Sequence, residues 1–267
     1  MQREKRISTD ALAVLSECAV AGNAVQLPPS MLDRKLYMEV NAVLEGIGGK
    51  WNKKAKAHLF NEPEPEIADL LEGCIQTGLA VPLSRNGYFP TPPDLADYVV
   101  RLAEIEDGNA VLEPSAGTGN IVEAVVRTRR KAQLAAVEND PKLLQKLALL
   151  QDGQNKFACE IFIVPSDFLQ YAPGPVYDRI VMNPPFSTKG APLADIDHIM
   201  HAWELLKPGG RLVSIASASL TFRREKKAVD FREHVARYGS IEELPEKSFK
   251  ESGTLTRTVI VVLVKLS

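Results

Sequence analysis

From Tyr88 to the end, the chain alternates short apolar runs with amphipathic stretches, and no other feature restricts its fold so strongly. Strands are predicted over 110–112, 133–137, 160–164, 179–182, 212–216 and 256–264, and helices over 121–128, 141–150, 196–206 and 225–238. Strands joined by helix-length crossovers build a mostly parallel sheet with helices on both faces, an α/β doubly wound fold. One of these strands, Arg179-Ile180-Val181-Met182, runs into Asn183-Pro184-Pro185-Phe186. Each proline lacks an N–H and has φ fixed, and the residue before a proline is pushed out of the helical region. The strand therefore ends at Met182, and the chain is held stiffly just past its carboxyl end. Open α/β sheets place their chemistry there. An amide, a rigid carbonyl and an aromatic ring presented together suit a flat, amino-bearing ring.

Residues 1–86 have a different pattern and read as a small separate module, leaving 87–267 for the sheet domain. Ser8 and Thr9 cap a helix expected over 10–20, and Gly22 stops it. Residues 25–27 suit a short strand. Ser30 and Asp33 have capping-box spacing before a helix that places Leu32, Leu36, Val40, Val43, Leu44 and Ile47 on one face. A hairpin over 50–60 carries Lys50, Lys53, Lys54 and Lys56 between Trp51 and Phe60, and a further helix over 66–76 buries Ile67, Leu70, Leu71 and Cys74. This order suggests a winged-helix-like module. Lysines interleaved with aromatics suit phosphate contact with stacking, so Lys53, Lys54 and Lys56 are candidate nucleic-acid contacts.

Composition narrows the rest. A net charge of −2 supplies no global basic field, so any nucleic-acid contact rests on local patches. Arg223 and Arg224 head one such patch, continued by Lys226, Lys227, Arg232 and Arg237 and interrupted by acids. Three cysteines far apart, with no CxxC pair, read as reduced core residues of a cytoplasmic protein, nucleoid-associated if it acts on DNA. His198 and His201 show no metal-site spacing, so no metal is expected. The longest apolar run, 259–264, is too short to span a bilayer, and the amino terminus has no apolar signal region.

Between the first strand of the sheet domain and its helix lies Glu113-Pro114-Ser115-Ala116-Gly117-Thr118-Gly119-Asn120, a turn whose glycines permit close approach of a ligand. The third small residue of the dinucleotide fingerprint is replaced by Val122, which argues against a pyrophosphate cofactor. Glu138, nineteen residues after Gly119 at the end of the next strand, can accept hydrogen bonds from both hydroxyls of a ribose. Asp167 follows the third strand and can accept from an exocyclic amine, with Phe168 beside the ring.

With these motifs the chain resembles the class I S-adenosylmethionine-dependent methyltransferases, and more narrowly the DNA adenine-N6 family. The resemblance covers residues 88–267 and rests on Phe89-Pro90-Thr91-Pro92, the 113–119 turn, Glu138, Asp167 and Asn183-Pro184-Pro185-Phe186. The motif order is similar to that family's gamma arrangement. The resemblance implies S-adenosylmethionine as cofactor, its methionine part lined by Thr91, Glu113, Ala116, Gly117 and Gly119. Glu138 would hold the ribose, and Asp167 with Phe168 the adenine, with Phe89, Asn139 and Asn183 also at the cofactor. It further implies an adenine flipped out of duplex DNA, with Phe186 as stacking platform and Phe249 on its other side. The Asn183 side-chain oxygen and the Pro184 carbonyl would accept the N6–H bonds and stabilise the charge gained as the amine attacks. The family's long target-recognition domain after the catalytic one is missing before Ser267, so recognition is expected from 1–86, from the 221–238 insertion or from a second subunit of a homodimer. The same site would serve adenine-N6 in RNA or a glutamine amide in protein, and a non-catalytic nucleic-acid-binding protein is a further alternative.

Overall fold

A computed structural model describes residues 6–79, 90–128, 130–153, 159–188, 191–244 and 257–267. Its amino-terminal part runs through helix α1 (Thr9–Ser16), strands β1 (Ala19–Ala21) and β2 (Ala24–Gln26), helix α2 (Arg34–Gly46), strands β3 (Lys50–Asn52) and β4 (Ala57–Leu59), and helix α3 (Glu64–Thr77). The four strands make an antiparallel sheet in the order β1-β2-β4-β3. α1 stops short of its expected end because Gly22 closes the β1–β2 hairpin rather than a helix, with φ of 60° at the turn. Asp33, not Ser30, caps α2, its Oδ1 accepting from the Lys35 and Leu36 N–H groups at 2.8 and 3.0 Å. Such a cap contributes about 1 kcal/mol. Leu12, Leu15, Val40, Leu44, Ile67 and Leu71 close the core between these helices, so the helical periodicity of α2 and α3 is what buries them.

The rest of the chain continues with α4 (Pro93–Leu102), β5 (Ala110–Glu113), α5 (Asn120–Arg127), β6 (Gln133–Glu138), α6 (Pro141–Gly153), β7 (Glu160–Pro165), β8 (Tyr177–Met182), α7 (Ala194–Leu205), β9 (Leu206–Ser217), α8 (Lys226–Tyr238), β10 (Gly239–Glu243) and β11 (Thr258–Val264). They form one seven-stranded sheet, β10-β11-β9-β8-β5-β6-β7. β9, β8, β5, β6 and β7 run parallel, and β11 and β10 are antiparallel additions at one edge. The mostly parallel α/β sheet is therefore as the alternation of elements predicts. Both faces are buried: Val111, Val181, Val213 and Ile260 meet α4 and α5, whereas their chain neighbours Leu112, Ile180, Leu212 and Val261 meet α7 and α8. That alternation is the pleat of a doubly covered sheet.

β10 has no sequence signal, because Ile241 is its one large apolar residue. Backbone pairing with β11 makes the strand, and the close approach needs glycine at 239, where a Cβ would lie 1.7 Å from the Val262 carbonyl oxygen. The strand order reverses between β5 and β8, and the carboxyl ends of these two neighbours open a crevice.

Candidate active site

The crevice is a cavity of about 1500 Å³. The glycine turn after β5, Glu138 at the end of β6, Asp167 beyond β7 and the proline corner after β8 all line it. Four strand ends from one sheet thus carry the groups that the motifs single out.

The corner is braced from two neighbouring segments. Thr91 is buried, and its hydroxyl accepts from the Asn183 Nδ2 at 3.0 Å, while its carbonyl accepts from the Asn120 Nδ2 at 2.6 Å. Thr91 does not cap α4. Pro92 occupies that position without a side-chain cap bond, and the threonine hydroxyl serves Asn183 instead. With the amide NH2 committed to Thr91, the orientation of Asn183 is set and its carbonyl oxygen is the opposite end. On the far side of the corner the Ala194 N–H donates to the Phe186 carbonyl at 3.1 Å, tying it to the start of α7.

The glycine turn and Glu138 form one unit. Glu138 Oε2 accepts from the Gly117 N–H at 2.8 Å, and its Oε1 accepts from the N–H groups of Asn139 and Asp140 at 2.8 and 2.9 Å. A half-buried carboxylate is thereby aimed while keeping lone pairs for further donors. Gly119 sits at φ 91°, and a Cβ there would come within 2.4 Å of Leu150 on α6. The left-handed backbone disfavours a side chain at that point, and a Cβ would also displace the Leu150 side chain.

Glu113 is 1% exposed, with Oε1 accepting from the Ser115 N–H at 3.2 Å and Oε2 buried without a hydrogen-bond partner. Burial pushes its carboxyl up to about 8; the Ser115 N–H opposes the rise and the nearby Glu138 adds to it. Folded protein therefore binds the extra proton between the ordinary carboxylate range and about pH 8. The stability this confers is full below that range and is lost as pH climbs to about 8. Glu113→Gln should melt close to the parent at pH 5 and roughly 5–10 °C above it at pH 8.5. Parallel melting curves of the two proteins at both pH values check this; an unchanged gap would remove the buried neutral carboxyl.

The aromatic residues are more buried than an exposed strand end suggests. Phe186 is 7% exposed and packs with Leu95, Val99 and Val181 in the core that supports α4, although it also lines the cavity. Phe168 is 4% exposed, with its ring 4.8 Å from His201 and 5.8 Å from His198. Both histidines bond backbone carbonyls, His198 to Ala194 and His201 to Tyr171, each at 2.8 Å. Asp167 caps a single 3₁₀ turn, its Oδ1 accepting from the Leu169 N–H at 3.0 Å, while the residue itself is exposed at the cavity. Ala116, Gly117 and Asn139 are brought to the same cavity. Phe89 and Phe249 lie outside the described residues.

Of the basic candidates, Lys53, Lys54 and Lys56 are exposed on the tight turn between β3 and β4, where Asn52 Oδ1 accepts from the Lys54 and Ala55 N–H groups. Trp51 is 41% exposed beside them, tilted against His58, whereas Phe60 is core. Arg223 is a correction. It was placed in a surface patch, but it is 1% exposed and its guanidinium is ion-paired with Glu72 of α3 and, at 3.1 Å, with Glu225. A buried guanidinium is retained where carboxylates neutralise it, and these two do so. Arg224 remains on the surface, paired with Glu17 at 3.2 Å. Lys226 pairs with Asp230 and Lys227 with Asp197, so much of this patch is neutralised within the fold.

Sequence reasoning missed that α3 forms a wall of the cavity. Glu72 and Gln76 stand one turn apart on its polar face, and the Gln76 Nε2 donates to Ser187 Oγ at 2.7 Å, one residue past the corner. The spacing of two polar residues on a helix gives no hint of a partner 111 positions away.

Comparison with known proteins is consistent with this geometry. Residues 98–242 match the methyltransferase small domain family. The chain is 31% identical over 107 residues to the Type II methyltransferase M.CvrRI of Paramecium bursaria Chlorella virus XZ-6E, covering 40% of this chain and 26% of the relative. It is 30% identical over 88 residues to a tRNA1(Val) (adenine(37)-N6)-methyltransferase of Aliivibrio salmonicida, covering 33% of this chain and 37% of the relative. These matches span between about a quarter and about two fifths of the curated relatives. Among solved structures, a type I restriction-modification system methyltransferase subunit from Streptococcus thermophilus shares the fold at TM-score 0.53 and 20% identity, over 75% of this chain and 49% of that one.

Proposed function

The chain belongs to the methyltransferase small domain family, and from that premise we propose that it methylates N6 of adenine in duplex DNA, with the base turned out of the helix into the crevice. S-adenosylmethionine is the cofactor, and it supplies an electrophilic methyl group on a sulfonium centre. The residues present fit it. Glu113 offers a buried carboxyl oxygen without a hydrogen-bond partner, suited to an ammonium group, and the glycine turn, left-handed at Gly117 and Gly119, brings backbone to the cavity wall at Gly117. Glu138 would hold the ribose hydroxyls, Asp167 and Phe168 the adenine ring, and Thr91, Ala116, Gly117, Gly119 and Asn139 the remaining surface.

The observation that carries the reading is the Asn183–Thr91 bond. It commits the amide NH2, so that Asn183 turns an acceptor, its Oδ1, rather than a donor to the other side, and the Pro184 carbonyl would supply a second. Two acceptors on one exocyclic amine draw its nitrogen toward tetrahedral geometry and stabilise the positive charge that develops on attack. No tuned base is required, since the N–H becomes acidic only after transfer. The rest is positioning, which contributes about 7–11 kcal/mol when the reacting groups are held in line. Phe186 would support the base from the core side.

The wall opposite supports extrusion of the base alone. Glu62, Glu66 and Asp69 line the cavity from the α3 side, and their carboxylates repel phosphate while leaving an uncharged purine unaffected. The polyanionic backbone then runs over the Lys53–Lys54–Lys56 turn. A second reading, adenine-N6 in RNA, is favoured by the similarity to the tRNA methyltransferase. Incubation with isotopically labelled S-adenosylmethionine and either duplex DNA or tRNA, followed by nucleoside analysis, separates them. The expected result is N6-methyldeoxyadenosine from DNA; label in RNA alone supports the second reading, and label on another atom defeats both.

A further inference from the structure

α3 is bonded to the sheet domain by both ends of one residue. The Gln76 side chain donates to Ser187 Oγ at 2.7 Å, directly after Phe186, and the Gln76 backbone carbonyl accepts from the Arg257 N–H at 3.1 Å, just before β11. The same amide donates to Glu72 Oε1 at 3.2 Å, and the other Glu72 oxygen takes the buried Arg223 guanidinium, which Glu225 also holds. A continuous polar chain thus runs from Ser187 through Gln76 and Glu72 to Arg223. It joins the segment after β8 to the segment after β9 by way of the amino-terminal module.

This places the third brace of the catalytic corner outside the sheet domain. Thr91 holds Asn183 and Ala194 holds the Phe186 carbonyl, while after Phe186 the Thr188 and Ala191 backbones bond each other and the Ser187 hydroxyl takes its bond from Gln76. We propose that Gln76 is a positioning residue for methyl transfer, holding the corner through Ser187 so that turnover depends on the seating of α3. The inference rests on the reading of Asn183 given above. A small misplacement of acceptors at a reacting nitrogen lowers rate far more than binding, because their effect is greatest in the transition state.

The test is a kinetic cycle on the full chain with Gln76→Ala, Ser187→Ala and the double variant, with Ser187→Thr as the conservative control and Asn183→Ala alongside. Each single alanine variant is expected to lower kcat about 10–100-fold, with the KM for DNA and the affinity for S-adenosylmethionine within twofold of the parent. The double variant should be no slower than the poorer single, and Ser187→Thr should stay near the parent, since it keeps the hydroxyl. A merely structural bond would lower the melting temperature and leave kcat alone. Gln76→Ala turning over within twofold of the parent overturns the proposal, as do additive losses in the double variant or a threonine variant as slow as the alanine one. Because Ser187→Ala removes the same bond from the other side, poor folding of a single variant does not remove the test. An inert Asn183→Ala beside a normal Gln76→Ala defeats this inference alone, whereas a normal Asn183→Ala defeats the reading beneath it.

Discussion

Replacing Asn183 with alanine is expected to lower the rate of methyl transfer by about 10²–10³-fold, the scale seen when one preorganised hydrogen-bonding group is removed from a charged transition state. The loss is large because the acceptor is held in advance. Asn183 hangs from a buried threonine at 3.0 Å, at the end of a strand locked between β5 and β9. Water entering the alanine pocket would have to be oriented at the moment of reaction. Affinity for S-adenosylmethionine should stay within about threefold, because Glu138, Glu113 and the glycine turn remain. Single-turnover methylation and calorimetric titration of the cofactor measure the two effects separately. Normal turnover, or a parallel collapse of cofactor binding, would contradict the role assigned.

Neutralising Lys53, Lys54 and Lys56 together should weaken binding to every duplex by about 10²-fold at 0.15 M salt and flatten the slope of log K against log salt by about 2.7, the value for three phosphate contacts. These side chains project from a two-stranded turn closed by Asn52, with no described ion pair to release first. The cations of the α8 segment differ. Arg223 is buried, and Arg224, Lys226 and Lys227 face Glu17, Asp230 and Asp197. Substituting those should shift the salt slope far less. Anisotropy titrations of labelled duplexes at several salt concentrations measure the slope, and one that survives the triple change would move the nucleic-acid contact elsewhere.

The parts of this protein that were legible in the sequence are those governed by local rules. Alternating apolar runs predict the parallel sheet because a doubly covered strand must be apolar on both faces, and Val111 and Leu112 show that division. The two prolines after Met182 predict where β8 ends because their dihedral limits do not depend on context. What was illegible depends on partners distant in sequence. The bond of the Thr91 hydroxyl to Asn183 spans 92 positions and has no local signature. Arg223 looked like surface charge because it begins a basic run, yet Glu72 and Glu225 let it be buried. β10 exists through backbone pairing, to which side-chain patterns are blind. Phe186 was read as a platform at an open strand end, whereas its ring is buried in the core that includes α4 while it also lines the cavity.

Methyl transfer as proposed depends on one contact, between the Asn183–Pro184 acceptors and the target amine. A crystal structure of the protein with S-adenosylhomocysteine and an adenine-containing duplex measures it directly. The account predicts an extruded adenine whose N6 lies about 2.7–3.2 Å from both the Asn183 side-chain oxygen and the Pro184 carbonyl. An adenine left stacked in the duplex, or a base bound with its amine turned away from the corner, would contradict it.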